Sequence, residues 1–198
     1  MTGVVLASQS AARQRLLTAA GVTFTAMPAS IDETGVIEAL KADGQGARAI
    51  ADCLAELKAL RISTRFPEAL VIGADQVLSL GAMIFEKPGD RAGARAQLLQ
   101  LRGQTHMLHS AVCVARGGSV VWRHVGVAKM TMRDFPDASL DAYLDAAGPD
   151  IMASVGAYHV EGLGVQLFRS IEGDSSTVQG LPLLPLLDFL RQQGLLIP

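Results

Sequence analysis

Short apolar runs alternate along the chain with longer segments in which apolar residues recur every three or four positions. The apolar runs predict buried strands at residues 4–7, 22–27 and 69–74. The segments with helical spacing predict helices at residues 11–20, 45–65, 90–101, 137–147 and 183–193. Such alternation is typical of α/β proteins.

Glycine residues mark the turns between the remaining predicted strands. A hairpin is predicted around Gly81, and two longer strands are predicted on either side of Gly117 and Gly118. A last strand is expected at residues 165–171. Residues 29–44 show no regular pattern and are expected to be irregular.

Composition excludes several classes of protein. With 198 residues, 49% of them hydrophobic, residues 1–198 can form one domain with a core that needs no disulfide or structural metal. The net charge of −2 lacks the basic excess of nucleic-acid-binding proteins. No apolar run approaches the roughly 20 residues that span a membrane, and the first residues lack the basic start of a signal peptide. We therefore expect a cytoplasmic protein without a nucleic-acid or membrane partner.

The cysteines and histidines do not predict a metal site. Cys53 and Cys113 each stand alone, which indicates two buried, reduced thiols rather than a disulfide or zinc pattern. His106 and His109 are three residues apart on a predicted strand, so their side chains point to opposite faces.

Two polar positions follow predicted strands. After the first strand, Ser8 and Ser10 precede a predicted helix with Arg13 in its first turn, an arrangement that suits a phosphate group. An ordinary capped surface helix has the same pattern. Asp75 follows the apolar strand 69–74, where a carboxylate can hold Mg²⁺ or act as a general base. It can equally be a turn residue.

Further candidates are a pair of acids and two lysines. Asp32 and Glu33 form a carboxylate pair in the irregular segment, although any solvated loop can carry such a pair. Pro88 favours an extended conformation at Lys87, which can then reach a phosphate. Lys58 adjoins apolar helix positions, which suggests a buried stem with a directed ammonium. Either lysine can also be simply solvated.

These candidates occur in a characteristic order. The segments are Leu6-Ala7-Ser8-Gln9-Ser10-Ala11-Ala12-Arg13, Asp32-Glu33, Ala55-Glu56-Leu57-Lys58-Ala59, Gly73-Ala74-Asp75-Gln76-Val77, Glu86-Lys87-Pro88, Leu101-Arg102-Gly103-Gln104-Thr105-His106, Gly156-Ala157-Tyr158, Glu161-Gly162-Leu163-Gly164 and Gly180-Leu181-Pro182-Leu183. As a set, and over nearly the whole chain, they resemble the Maf family of nucleoside triphosphate pyrophosphatases.

The resemblance implies a fold, a reaction and a cofactor. The fold is α/β, with a long twisted mixed sheet and two lobes around a central cleft, similar to inosine triphosphate pyrophosphatases and commonly a homodimer. The reaction converts a nucleoside triphosphate to the monophosphate and pyrophosphate with a divalent cation, Mg²⁺ or Mn²⁺.

The resemblance also implies residue roles. Asp75 matches a proton acceptor and Glu33 a metal-linked carboxylate, so both are expected to bind the cation. The groups expected around the triphosphate are Ser8, Arg13, Lys58 and Lys87.

Departures from the family pattern bear on the base. Gln76 and Glu161 are similar to the branch that acts on 7-methyl-GTP, and a carboxylate at Glu161 can accept N–H bonds from a guanine edge. Ala11 and Ala12 stand where the family often has Pro-Arg or Pro-Trp, so a group that helps to recognise the base is missing. The alternatives are a dTTP/UTP-preferring pyrophosphatase and a nucleotide-binding regulator of septum formation without turnover.

Overall fold

The computed structural model describes residues 3–197, which form a sheet with helices. The strands are β1 (Val4–Leu6), β2 (Thr25–Ala26), β3 (Leu70–Leu80), β4 (Met83–Phe85), β5 (Thr105–Arg116), β6 (Ser119–Met132) and β7 (Phe168–Glu172). The helices are α1 (Ala11–Ala19), α2 (Glu33–Ala42), α3 (Ala47–Ser63), α4 (Arg91–Leu101), α5 (Asp137–Ala147), α6 (Ser175–Val178) and α7 (Leu183–Gln192). The predicted α/β class is confirmed.

The strands form one mixed sheet in the order β2-β1-β3-β5-β6-β7, with β4 paired to β3. β1 lies between β2 and β3 and runs parallel to both. β4 is antiparallel to β3, and β7 is antiparallel to β6. No helix within residues 3–197 is long and apolar enough to cross a membrane.

The described chain divides into two compact units. The first contains residues 3–76, 109–126 and 175–197, and the second contains Val77–Leu108 and Val127–Asp174. β3, β5 and β6 each contribute residues to both units. The single domain and the central cleft stay predictions.

In the first unit, β1 and β3 are buried on both faces. On one face, Leu6 and Ile72 pack with Leu17 of α1 and with apolar residues of α7. On the other face, Val71 packs against Ile62 of α3. Because successive side chains of a strand point to opposite faces, a strand covered on both sides consists almost entirely of apolar residues. This explains the uninterrupted apolar runs in the sequence.

Helix α3 approaches β3 closely at Gly73. A Cβ atom on Gly73 would lie 2.1 Å from the carbonyl oxygen of Ala55 and 2.5 Å from the amide nitrogen of Ala59. Only glycine permits this approach of two backbones. The contact brings Lys58, the residue directly before Ala59 on α3, beside the end of the apolar part of β3.

In the second unit, an arginine of α4 and the arginine that directly follows α4 pair with aspartates of α5. Arg95 Nε lies 2.9 Å from Asp141 Oδ1, and Arg102 Nη1 lies 2.7 Å from Asp137 Oδ1. Hydrogen bonds from Arg102 and Arg95 lower the pKa of Asp137. These exposed pairs align the two helices and add little stability individually.

The structure corrects the prediction for residues 29–44. Glu33–Ala42 form α2, and the Asp32 side chain caps it by accepting a hydrogen bond from the Gly35 amide at 3.1 Å. No residue of α2 is fully buried, so its apolar pattern is weak. The predicted carboxylate pair therefore divides: Asp32 is a cap and Glu33 lies in the first helical turn.

Three further predictions are wrong in detail. Residues Leu163–Leu167 form a 3-10 helix, so the last strand begins only at Phe168. The segments predicted as a strand at 69–74 and a hairpin arm after it form one continuous strand, β3. Cys113 is buried as expected, with its pKa raised by burial to about 12, whereas Cys53 is only half-buried.

Candidate active site

The Lys58 ammonium lies between two carboxylates. Its Nζ is 2.5 Å from Asp75 Oδ1 and 2.8 Å from Glu33 Oε1. Lys58 and Asp75 are buried, at 8% and 7% exposure, whereas the Glu33 side chain is 42% exposed. Three candidates from separate segments of the sequence therefore meet in the first unit, on α2, α3 and β3.

Arg13 is anchored nearby in the first unit by backbone and side-chain oxygens. Its Nε donates a hydrogen bond to the Gly180 carbonyl at 2.9 Å, and its Nη1 donates to Ser8 Oγ at 3.2 Å. Ser10 caps α1 as predicted, because its Oγ accepts from the Arg13 amide. The turn after β1 and the first turn of α1 thus hold the guanidinium in place.

The four charged groups influence one another. Burial raises the pKa of Asp75, and the charges of Lys58 and Arg13 oppose this rise. Burial likewise lowers the pKa of Arg13, against the attraction of Asp75 and Glu33, but an arginine remains protonated. Two cations and two anions sum to zero charge. These four side chains therefore carry no excess positive charge with which to neutralise a bound polyphosphate.

Gln76 follows Asp75 on β3 and points to the opposite face. Its Nε2 donates to Ser110 Oγ at 2.9 Å, to the Val178 carbonyl at 3.0 Å and to the Thr177 carbonyl at 3.2 Å. Ser110 lies on β5, and the two carbonyls belong to the short helix α6. Asp75 thus pairs with a charged side chain, whereas the Nε2 atom of Gln76 faces neutral acceptors.

The other two predicted residues belong to the second unit. Lys87 is exposed in the loop between β4 and α4. Glu161 is exposed in a turn before the 3-10 helix at Leu163–Leu167. The roles assigned to them stay predictions.

The carboxylates suit a hard divalent cation. Among residues 3–197, no three His, Cys, Asp or Glu side chains are grouped to hold a metal ion. Mg²⁺ is, however, commonly bound by one or two carboxylates together with substrate phosphates. Asp75 and Glu33 supply two such carboxylates, each with one oxygen on Lys58. This donor set fits a cation whose coordination is completed by substrate and water.

The model of the Maf-like protein family matches residues 3–193 of the chain. The chain belongs to the Maf family. It is 54% identical over 194 residues to a protein of Paramagnetospirillum magneticum and to one of Rhodospirillum rubrum. Both alignments cover 98% of this chain, and they cover 100% of the first relative and 96% of the second. A protein of Caulobacter vibrioides is 52% identical over 196 residues, 99% of this chain and 98% of its own. Each of these relatives is named nucleoside triphosphate pyrophosphatase.

In this Maf chain, the groups that hold Gln76 are not among the residues predicted from the sequence. Ser110 was detectable as a lone hydroxyl at the edge of the apolar stretch Ala111–Ala115. The Thr177 and Val178 carbonyls were not detectable, because a backbone oxygen leaves no mark on residue identity. Gly180 appears in the family resemblance, but the acceptor that it offers to Arg13 does not.

Proposed function

We propose that this chain hydrolyses a nucleoside triphosphate to the monophosphate and pyrophosphate with the help of a divalent cation. The observation that carries the proposal is the meeting of Asp75, Glu33, Lys58 and Arg13 in a Maf-family chain. The relatives that are 52–54% identical to this chain are named nucleoside triphosphate pyrophosphatase, and the alignments cover nearly their full length.

Asp75 is assigned the proton-accepting role. Water attacks the α-phosphorus, its proton passes to the Asp75 carboxylate, and the bond from the α-phosphorus to the bridging oxygen breaks to release pyrophosphate. Burial raises the pKa of Asp75, which brings its basicity closer to the working pH of an enzyme. Lys58 keeps the carboxylate ionised before the proton arrives.

The phosphates are assigned to the cationic groups and the start of α1. Arg13 and Lys58 offer charged donors, and the first amides of α1 add partial positive charge. When bound by Asp75 and Glu33, a divalent cation supplies the missing positive charge and lowers the pKa of coordinated water. The zero net charge of the four ionised side chains supports this requirement. Lys87 is proposed as a further phosphate ligand.

We further propose a preference for 7-methyl-GTP, with Gln76 and Glu161 contacting the nucleoside. A carboxylate accepts N–H bonds from guanine and is attracted to the cationic methylated ring. We also propose that the protein is a cytoplasmic homodimer. Light scattering at several protein concentrations tests the dimer, and a monomer mass throughout would contradict it.

The test is pyrophosphate release from 7-methyl-GTP, GTP, dTTP, UTP and CTP with Mg²⁺, Mn²⁺ or EDTA. We expect release with either metal, none with EDTA, and the fastest turnover with 7-methyl-GTP. Faster turnover of dTTP or UTP would contradict the base preference. Tight nucleotide binding without pyrophosphate release in any condition would contradict the proposed enzymatic activity and favour a nucleotide-binding protein without turnover.

A further inference from the structure

The amide of Gln76 is surrounded by atoms that accept hydrogen bonds. Its Nε2 lies within 3.2 Å of Ser110 Oγ and of the carbonyl oxygens of Thr177 and Val178. Carbonyl oxygens cannot donate, so the atom that faces them must be the amide nitrogen. Two N–H hydrogens thus serve three acceptors.

Ser110 is itself restricted to accepting. This fully buried hydroxyl donates its one hydrogen to the Thr177 carbonyl at 2.7 Å. Toward Gln76 it therefore offers a lone pair. Turning the amide over would place Oε1 against three acceptors, at a cost of several unmade or repulsive contacts. The network thus permits one orientation of the Gln76 amide.

This orientation directs Oε1 away from the three acceptors that hold Nε2. No residue within 3–197 donates a hydrogen bond to Oε1. A Cβ atom on Gly180 would lie 3.4 Å from Arg13 Nη2 and 3.7 Å from Gln76 Cδ. The Gln76 amide and the Arg13 guanidinium therefore both lie next to Gly180. An acceptor oxygen repels phosphate oxygens and binds O–H or N–H groups.

We propose that Ser110 and the carbonyls of Thr177 and Val178 are positioning groups that present Gln76 Oε1 to a hydrogen-bond donor on the nucleoside half of the substrate. This inference rests on the proposed function. Under this inference, residues of the first unit contact different parts of the substrate. Arg13 and Lys58 bind phosphates, whereas Gln76 contacts a ribose hydroxyl or a base N–H and never a phosphate oxygen.

The experiment compares Ser110→Ala with Ser63→Ala. Ser63 is a matched control because its hydroxyl is also fully buried and also donates one hydrogen bond and accepts another, in its case with the Leu60 carbonyl and the Gly118 amide. Ser110→Ala leaves the two carbonyls to hold the amide, so for the best nucleoside triphosphate it is expected to raise KM about threefold, with kcat changed by less than about twofold. Inhibition by inorganic tripolyphosphate, which has no nucleoside, is expected to stay unchanged. Ser63→Ala is expected to change neither quantity.

A second variant separates positioning from folding. Gln76→Met is expected to raise KM more than Ser110→Ala, about tenfold. The double variant is expected to be no worse than Gln76→Met alone, because Ser110 acts only through Gln76. Equal weakening of nucleotide and tripolyphosphate binding by Ser110→Ala, the same loss in Ser63→Ala, or additive effects in the double variant would overturn the inference.

Failure of the proposed function is seen separately, in the wild-type protein. If wild type releases no pyrophosphate, the same variants are compared by equilibrium binding of a non-hydrolysable triphosphate and of tripolyphosphate. A selective loss of nucleotide affinity in Ser110→Ala would support the positioning role without turnover. Unchanged affinities in all variants would overturn it.

Discussion

Asp75 and Gln76 are consecutive residues of β3, yet their side chains lie in opposite kinds of surroundings. Asp75 faces α3 and forms an ion pair with Lys58, which also pairs with Glu33. Gln76 faces α6 and bonds to neutral oxygens from Ser110 and from the backbone. One side of the strand thus sets ionisation, and the other sets the direction of an uncharged amide.

The difference lies in what each set of partners can control. A lysine between two carboxylates governs protonation, because its charge opposes the effect of burial on the pKa of Asp75. Carbonyl oxygens govern geometry, because they accept only from a correctly oriented N–H group. We therefore expect changes on the α3 side to alter the chemical step and changes on the α6 side to alter binding.

The largest expected effect comes from Asp75→Asn. The amide keeps the shape of the side chain but cannot take a proton, so kcat is expected to fall about 10²–10⁴-fold. Pyrophosphate release measures it, with Asp188→Asn as a control that removes an exposed carboxylate paired with Arg191 on α7. Gln76→Met is expected to lower kcat far less. If Asp75→Asn turns over at the wild-type rate, the α3 side of β3 does not control the chemical step, and the proposed difference between the α3 side and the α6 side is wrong.

Gly73→Ala is expected to separate α3 from β3. Its new methyl group meets backbone atoms of Ala55 and Ala59, which cannot move as side chains do, so the free energy of unfolding is expected to fall by about 3 kcal/mol. Urea denaturation measures the loss. Gly46→Ala is the control, because no atom lies within 4 Å of its Cβ position. Equal stability of the two variants would show that the close contact does not restrain the helix.

Lys58→Met is expected to move the acidic limb of the activity profile to higher pH. The pKa of Asp75 is already raised by burial and is held down by Lys58, so losing the ammonium raises it further. Since the base acts only when ionised, half-maximal kcat/KM is expected about one pH unit or more higher. NMR titration of the Asp75 carboxyl without metal provides a direct measurement. Lys41→Met on α2 should leave the limb in place, and an unmoved limb in Lys58→Met would contradict the assignment.

Arg13→Lys is expected to have the smallest effect. The guanidinium serves the Gly180 carbonyl and Ser8 at once, whereas an ammonium lacks that planar fork. We expect KM for the triphosphate to rise about tenfold, which corresponds to about 1.4 kcal/mol, with a smaller change in kcat. Steady-state kinetics measure it against Arg15→Lys, an exposed arginine of the same helix. A larger loss in kcat than in KM would place Arg13 with the chemical side.

Much of the fold follows from apolar spacing and caps. Ser10 and Asp90 both cap the helices predicted to follow them, and Gly81 lies in the turn between β3 and β4 as expected. Helix α2 escaped prediction because it buries no residue completely. The last strand was misplaced because an apolar stretch forms a 3-10 turn before it.

The site was predictable as a set of residues but not as an arrangement. Asp75, Glu33 and Lys58 were expected together, but the two carboxylates were expected to share a metal ion, and the structure places the Lys58 ammonium between them. The surroundings of Gln76 were not predictable, since backbone carbonyls of α6 provide most of its contacts.

Pairing with β1 sets the register of β3, with Val4 opposite Leu70 and Leu6 opposite Ile72. Inserting one residue between Ile72 and Asp75 would turn every later side chain of the strand to the other face. The carboxylate would then confront the carbonyls of α6, and the amide would confront the lysine. A single added codon here would thus be more damaging than most substitutions, although it removes no functional group from the protein.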